Sequence, residues 1–190
     1  LLKIGPRTRI DTRAAQGSTG RWLLDPHDFT IAASGGDITG ATLSLALAGN
    51  DVTIATADTA VTCNGTSCAT GTSGGNGDIL VNDAIGWSSN HTLTLSAWRD
   101  VRINAPITVS GSGTLALALA QSGTTLDFPE GSYHVSAPVT LGAGAGFRTQ
   151  QASDGAVVNH TVIRDAAGLA AVAGNLAGSH VLGQDVAIGA

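Results

Sequence analysis

This sequence predicts an all-β fold of stacked repeats: a β-solenoid with protruding loops and at most one short helix, near the C-terminus. Three observations carry that reading. The stretch Arg99 to Val109 alternates apolar Val101, Ile103, Ile107 and Val109 with polar residues, and Asn104-Ala105-Pro106 breaks the alternation as a corner. The same strand-corner-strand pattern recurs at Gly77–Trp87 and Gly131–Leu141. Composition agrees with it. Gly is 26 of 190 residues, charged residues are only 12%, and Glu130 and Lys3 are the sole Glu and Lys. Helices favour Glu and Lys, whereas Asp, Asn, Gly, Ser and Thr favour turns.

Aligned without gaps, the three copies form columns. Ile79, Val101 and Tyr133 share one, Val81, Ile103 and Val135 the next, and Ile85, Ile107 and Val139 a third. Asn82, Asn104 and Ser136 share the corner. The copies are 22 residues apart (79 to 101) and 32 apart (101 to 133), which needs a loop in the second interval, most simply at Gln121–Thr125. Repeats of this length bury their apolar face only by stacking on their neighbours. All column side chains are therefore expected inside, and Arg102 outside.

Residues 1–20 have little periodicity and read as an irregular lead-in or incomplete coil. Residues 21–160 read as the coils. Asp25-Pro26 is a turn between Trp22-Leu23-Leu24 and Phe29-Thr30-Ile31, and a short strand opens at Ile38. Leu43, Leu45 and Leu47 alternate with Ser44 and Ala46, as in a half-buried strand. Thr42-Leu43-Ser44-Leu45 followed by Asp51-Val52-Thr53-Ile54 matches Thr92-Leu93-Thr94-Leu95 followed by Asp100-Val101-Arg102-Ile103, and Thr114–Leu119 begins a third copy. Residues 58–77, rich in Thr, Ser, Gly and Asn, form a loop insertion, and residues 142–160 a second irregular patch. Residues 161–190 continue the solenoid as a strand, a short helix capped by Asp165, and a strand.

Cys63 and Cys68 straddle an Asn-Gly turn and are candidates for a small disulfide loop, which favours an oxidising compartment. Net charge is −5, which argues against nucleic acid as a partner. Lys3, Arg7, Arg9, Arg13 and Arg21 concentrate positive charge at one end; this reads as a polar lead-in, with an anionic-glycan site as the sharper alternative. No run is apolar enough for membrane insertion, and the chain reads as an internal portion of something longer.

The run Gly20-Arg21-Trp22-Leu23-Leu24-Asp25-Pro26-His27-Asp28-Phe29-Thr30-Ile31 resembles a segment of filamentous-haemagglutinin-type exoproteins, the large adhesins of bacterial two-partner secretion. Gly77–Ser88 resembles their coils. The tail from Thr161 to Val186 resembles the module before their Gly-rich repeats, with Val186-Ala187 where Ile-Asp is usual. The resemblance implies a right-handed parallel β-helix, export through an outer-membrane transporter, and a secreted, cell-surface location. It implies a host-surface receptor, a glycan or a neighbouring cell as partner. It supplies no catalytic residue and no cofactor.

Chemical motifs are sparse. His27, His91, His134, His160 and His180 lie scattered, without metal-ligand spacing. Ser73–Val81 is one misspaced copy of a calcium nonapeptide. Asp78, Asp83 and Asp100 would cluster if their coils stack, as carboxylates do in polysaccharide-processing β-helix enzymes, lyases or glycoside hydrolases. The blander reading is that each Asp binds its own corner backbone. The expected function is thus a stiff, non-catalytic adhesive stalk, with such an enzyme as the alternative.

Overall fold

The computed structural model describes residues 3–5, 8, 21–24, 27–57, 61–64, 67–70, 75–126 and 130–188. Most of the lead-in, including Arg7, Arg9 and Arg13, and the Asp25-Pro26 turn lie outside the described residues.

The chain is mostly β, in sheets of parallel strands, and it visits three sheets in turn. The first circuit holds β1 (Arg21–Leu24), β2 (Phe29–Ile31) and helix α1 (Gly40–Leu47). The second holds β3 (Asp51–Ala55), the hairpin β4 (Val61–Asn64) and β5 (Ser67–Thr70), then β6 (Ile79–Val81) and β7 (Ile85–Trp87). The third is β8 (Thr92–Ser96), β9 (Val101–Ile103) and β10 (Ile107–Val109). The fourth is β11 (Thr114–Leu119), β12 (Tyr133–Val135) and β13 (Val139–Leu141). Then come β14 (Gly146–Gln151), β15 (Val158–Ile163), α2 (Ala166–Ala171), a 3-10 turn at Val172–Gly174 and β16 (His180–Leu182). Sheet I runs β1-β3-β8-β11-β14-β15-β16, sheet II β2-β6-β9-β12 and sheet III β7-β10-β13.

Register follows the sequence columns. Ile79 pairs with Val101 and Val101 with Tyr133, while Val81 pairs with Ile103 and Ile103 with Val135. Ile107 pairs with both Ile85 and Val139. At the corner, the Asn104 side-chain amide donates to the Asn82 side-chain oxygen at 2.9 Å. Phe29, Ile31, Ile79, Val81, Val101, Ile107, Leu93, Leu95 and Leu115 are fully buried in one continuous core. Each such side chain contributes about 1.5–3 kcal/mol by leaving water. The longer interval falls where a loop was expected: Ala118 pairs with Ser96, and the extra residues lie between β11 and β12.

Several expectations need correction. Leu43–Leu47 is not a strand but part of α1. Leu-x-Leu-x-Leu satisfies a period of two, yet Leu43 and Leu47 are four apart and so share one helical face. Both are fully buried and Leu45 is 66% exposed. Thr39 caps the helix, accepting from the Thr42 N–H at 3.2 Å, and the Asp83 carboxylate accepts from the Gly40 N–H at 2.8 Å. The helix stands where sheet III would have its first strand. Ser44 there accepts the Gly86 N–H of the β7 edge at 2.9 Å. A helix is thus present outside the C-terminal region as well.

The second repeat family also changes. Asp51-Val52-Thr53-Ile54 does not stack on Asp100–Ile103 but on Leu93-Thr94-Leu95, in sheet I. Val52 and Ile54 are buried as the alternation expects, but on a different side, because α1 fills the third side of the preceding circuit and the chain returns from it to sheet I. Ile38 forms a single bridge to Ile31 rather than a strand. Within the patch 142–160, β14 stacks in parallel on β11, with Phe147 beside Leu115. Its polar Arg148-Thr149-Gln150-Gln151 run hides the strand from a hydrophobicity reading.

Tyr133, Val135 and Val139 keep their register but not their expected burial. Tyr133 is 44% and Val135 52% exposed, and Val139 is half-buried. Among the described residues no further strand pairs with β12 on that side. After β14 the chain reverses into β15, antiparallel to it, and β12 ends sheet II. The inner columns therefore open onto an apolar cleft of about 740 Å³, lined by Ile103, Leu117, Tyr133, Val135, Val139 and Val181 among others. The tail is pinned beside this cleft by Arg164, whose guanidinium donates to the carbonyls of Leu141, Gly142 and Ala145 at 2.6–2.9 Å. Asp165 caps α2 as expected, accepting the Gly168 N–H at 2.7 Å. The expected boundary at 160/161 falls inside β15.

The 58–77 insertion contains an antiparallel hairpin, β4 with β5, in a two-stranded sheet of its own. Cys63 stands directly opposite Cys68. Directly opposed residues in antiparallel strands lie about 4.5–5.5 Å apart, within the reach of a disulfide.

Register makes one sharp prediction. Ile103 is 1% exposed, so Ile103→Asp buries an unpaired carboxylate and should cost roughly 3 kcal/mol or more. Arg102 points outward, where its guanidinium donates to Asp100 at 2.9 Å. Arg102→Asp should cost only about 1 kcal/mol, the scale of a partly exposed ion pair. Denaturant melts of the two variants check this; equal losses would contradict the alternation.

Candidate functional site

The residue before each sheet II strand forms a fourth column: Asp28, Asp78, Asp100 and Ser132. Its carboxylates reach across circuits. Asp28 accepts from the N–H groups of Asn76, Gly77 and Asp78 at 2.8–2.9 Å. Asp78 accepts from the Asp100 N–H at 3.2 Å, and Asp100 from the Ser132 N–H at 2.9 Å. A backbone ladder runs beside them, from Phe29 N–H to Asp78 carbonyl, Ile79 to Asp100 and Val101 to Ser132, at 2.9–3.0 Å. The expectation that Asp78 and Asp100 serve their own corners is thereby corrected, since the N–H groups they accept belong to the next circuit. Asp83 is different. It does serve its own corner, at Ala84, and it also binds Gly40, apart from the other two.

Two cations close this ladder. Arg99 grips Asp78 with a fork, Nε to Oδ1 at 2.9 Å and Nη2 to Oδ2 at 2.6 Å. Arg102 holds Asp100, and His134 stands 3.8 Å from the same Asp100 oxygen while sharing a hydrogen bond with Ser132. Burial alone would raise the Asp78 pKa. The Arg99 hydrogen bond, the Asp100 N–H and the charges of Arg99 and Arg102 outweigh it and hold the pKa below the ordinary 3.8. The hydrogen bond to Asp78 in turn raises the Arg99 pKa. Glycoside hydrolysis by two carboxylates needs one of them protonated as the acid. Asp78 is held ionised, and both carboxylates are engaged by backbone and guanidinium groups. The arrangement joins successive circuits through backbone N–H and guanidinium groups.

Beside the ladder runs a corner with a different character. The hairpin insertion and the 120–132 loop both leave the chain between a sheet I strand and a sheet II strand. Between them the third circuit turns the same corner through Ala97-Trp98-Arg99-Asp100. A hollow of about 370 Å³ opens there, lined by Gly75 and Asn76 from one insertion, Ser122 and Glu130 from the other, and Trp98 and Arg99 between them. Its floor is fixed. Gly77 has φ 78°, and any Cβ there would collide with the Trp98 side chain, so the indole packs against bare backbone. Thr56, buried, accepts the Trp98 N–H at 3.0 Å and donates to the Gly77 carbonyl at 2.7 Å.

Sequence reasoning brought Asp78 and Asp100 together but missed Asp28 and Trp98. Extending the column back to Phe29-Thr30-Ile31 would have found Asp28. Nothing local marks Trp98, because the residues beside it come from insertions more than twenty positions away on either side. No group of three His, Cys, Asp or Glu side chains able to hold a metal occurs among the described residues. No family model matches the chain, and neither a curated protein nor a solved structure matches it.

The ladder predicts an acid response. Asp78 has a lowered pKa in the folded state, so its contribution is present above its unfolded pKa and is lost as pH falls through the folded value. Removing the guanidinium in Arg99→Ala leaves burial to push that pKa up, so acid unfolding should begin at higher pH. At neutral pH the variant should lose roughly 1 kcal/mol, since the Arg99 side chain is 40% exposed. Circular dichroism followed during acid titration checks this; an unmoved acid midpoint would show that the fork does not link Asp78 to stability.

Proposed function

We propose that this chain is a β-solenoid segment, a right-handed parallel β-helix, of a large secreted, cell-surface exoprotein of the filamentous-haemagglutinin type. In this reading it is a non-catalytic stalk. Its stacked circuits, about 4.8 Å apart, give stiffness, and its insertions make contact with a host-surface receptor, a glycan or a neighbouring cell. The full-length protein would leave the bacterium through an outer-membrane transporter.

One observation supports this reading most: parallel, in-register stacking continues unbroken through the second, third and fourth circuits while the hairpin and the 120–132 insertion leave at the same corner. A frame with its variable parts gathered on one ridge suits display. The engaged Asp78 and Asp100 speak against the polysaccharide-processing alternative at the place where it was expected.

Beads coated with the purified chain should adhere to cultured cells. Deleting residues 61–70 should reduce adhesion at least several-fold while shifting the melting temperature by only a few degrees, because the hairpin has its own sheet. Cleavage of a polysaccharide panel that disappears in Asp78→Asn would favour the enzyme instead.

A further inference from the structure

We propose that the hollow at Trp98 binds an uncharged glycan. The inference rests on the adhesive reading and deepens it by naming a site and a ligand class. At about 370 Å³ the hollow falls in the range of small-molecule sites, roughly 300–1,000 Å³. Its lining suits a sugar ring. Indole offers an apolar surface for the C–H face of a pyranose. Asn76 both donates and accepts, Ser122 does the same, Arg99 donates and Glu130 accepts, which matches hydroxyl groups that do both. Glu130 is also the only Glu in a chain whose other acids are all Asp.

Charge selects against acidic sugars. Among the lining side chains Arg99 is the cation and Glu130 the anion, and the fork from Arg99 to Asp78 already engages that cation. An anionic ligand would meet a guanidinium already paired with Asp78 and the Glu130 carboxylate beside it. The site is also preorganised: Gly77 and Thr56 fix Trp98, Asp78 fixes Arg99, and the Ser122 N–H bonds the Trp98 carbonyl at 3.1 Å. Trp98 and Arg99 therefore need little ordering on binding, while the exposed Asn76, Ser122 and Glu130 side chains adjust to the ligand.

The test is titration of the ¹⁵N-labelled chain with lactose, cellobiose, mannotriose and N-acetylchitotriose. The acidic comparators are 3′-sialyllactose and a heparin hexasaccharide. The indole N–H resonances serve as reporters. Trp87 is the internal control, since its indole N–H is buried against the His91 carbonyl at 2.9 Å. At least one neutral sugar should move the Trp98 resonance and leave Trp87 still. Trp98→Ala should weaken that binding more than tenfold. Glu130→Ala, at an exposed position, should weaken it at least threefold and stands in if the Trp98 variant does not fold. No response to any neutral sugar, a response only to the acidic ones, or unchanged affinity in folded variants would overturn the proposal. Beads that adhere to cells while Trp98 stays silent would remove this site and leave the adhesive reading standing. A responding Trp98 on a chain that adheres to nothing would do the reverse.

Discussion

A strand of three residues cannot hold itself. β6, β9 and β10 each expose their backbone on two edges and bury only two side chains, and each is held by a paired strand on both sides. Every other feature follows from the need to supply those neighbours in register. The apolar columns do so inside, where Ile79 meets Val101 and Ile85 meets Ile107. The carboxylate ladder of Asp28, Asp78 and Asp100 does so outside, by accepting the N–H of the following circuit. A slip of one residue would turn each inner side chain outward and leave each carboxylate without its N–H. The two sets of contacts enforce the same register from opposite faces.

The ends of the stack show what happens when a neighbour is absent. At the start, α1 lies along the edge of β7 and supplies a hydroxyl to its backbone. Beside β2, Asp37 pairs with Thr30 through both backbone and side chain. At the other end, sheet I is prolonged by β15 and β16, but β12 is the last strand of sheet II. Tyr133 and Val135 pay the consequence in exposure. The corners are under less constraint than the strands, and both insertions occur where sheet I passes to sheet II. That is why the short Trp98 corner is flanked on both sides by longer chain.

The columns were legible in the sequence because alternation and a fixed offset are both local facts. The corner Asn82 and Asn104 pair was legible for the same reason. What was not legible depended on something absent from the local pattern. Leu43, Leu45 and Leu47 fit two periods equally, and only the packing of Leu43 and Leu47 against the core selects the helix. Asp51–Ile54 carries a valid strand pattern but no mark of which sheet receives it. Tyr133 is inward in register and exposed in fact, since burial belongs to the neighbour and not to the residue. Arg148–Gln151 becomes a strand because β11 offers it an edge, not because its own composition asks for one. The Trp98 hollow is the extreme case, assembled from Gly75, Trp98 and Glu130 by topology alone.

The central claim is the register between circuits, and backbone hydrogen bonds report it without any substitution. Scalar couplings across hydrogen bonds, from amide ¹⁵N to carbonyl ¹³C, identify the acceptor of each N–H. They should connect Phe29 to Asp78, Ile79 to Asp100 and Val101 to Ser132, pairs separated by 49, 21 and 31 residues. Couplings that instead join these amides to carbonyls a few positions away, as in local hairpins, would contradict the stack.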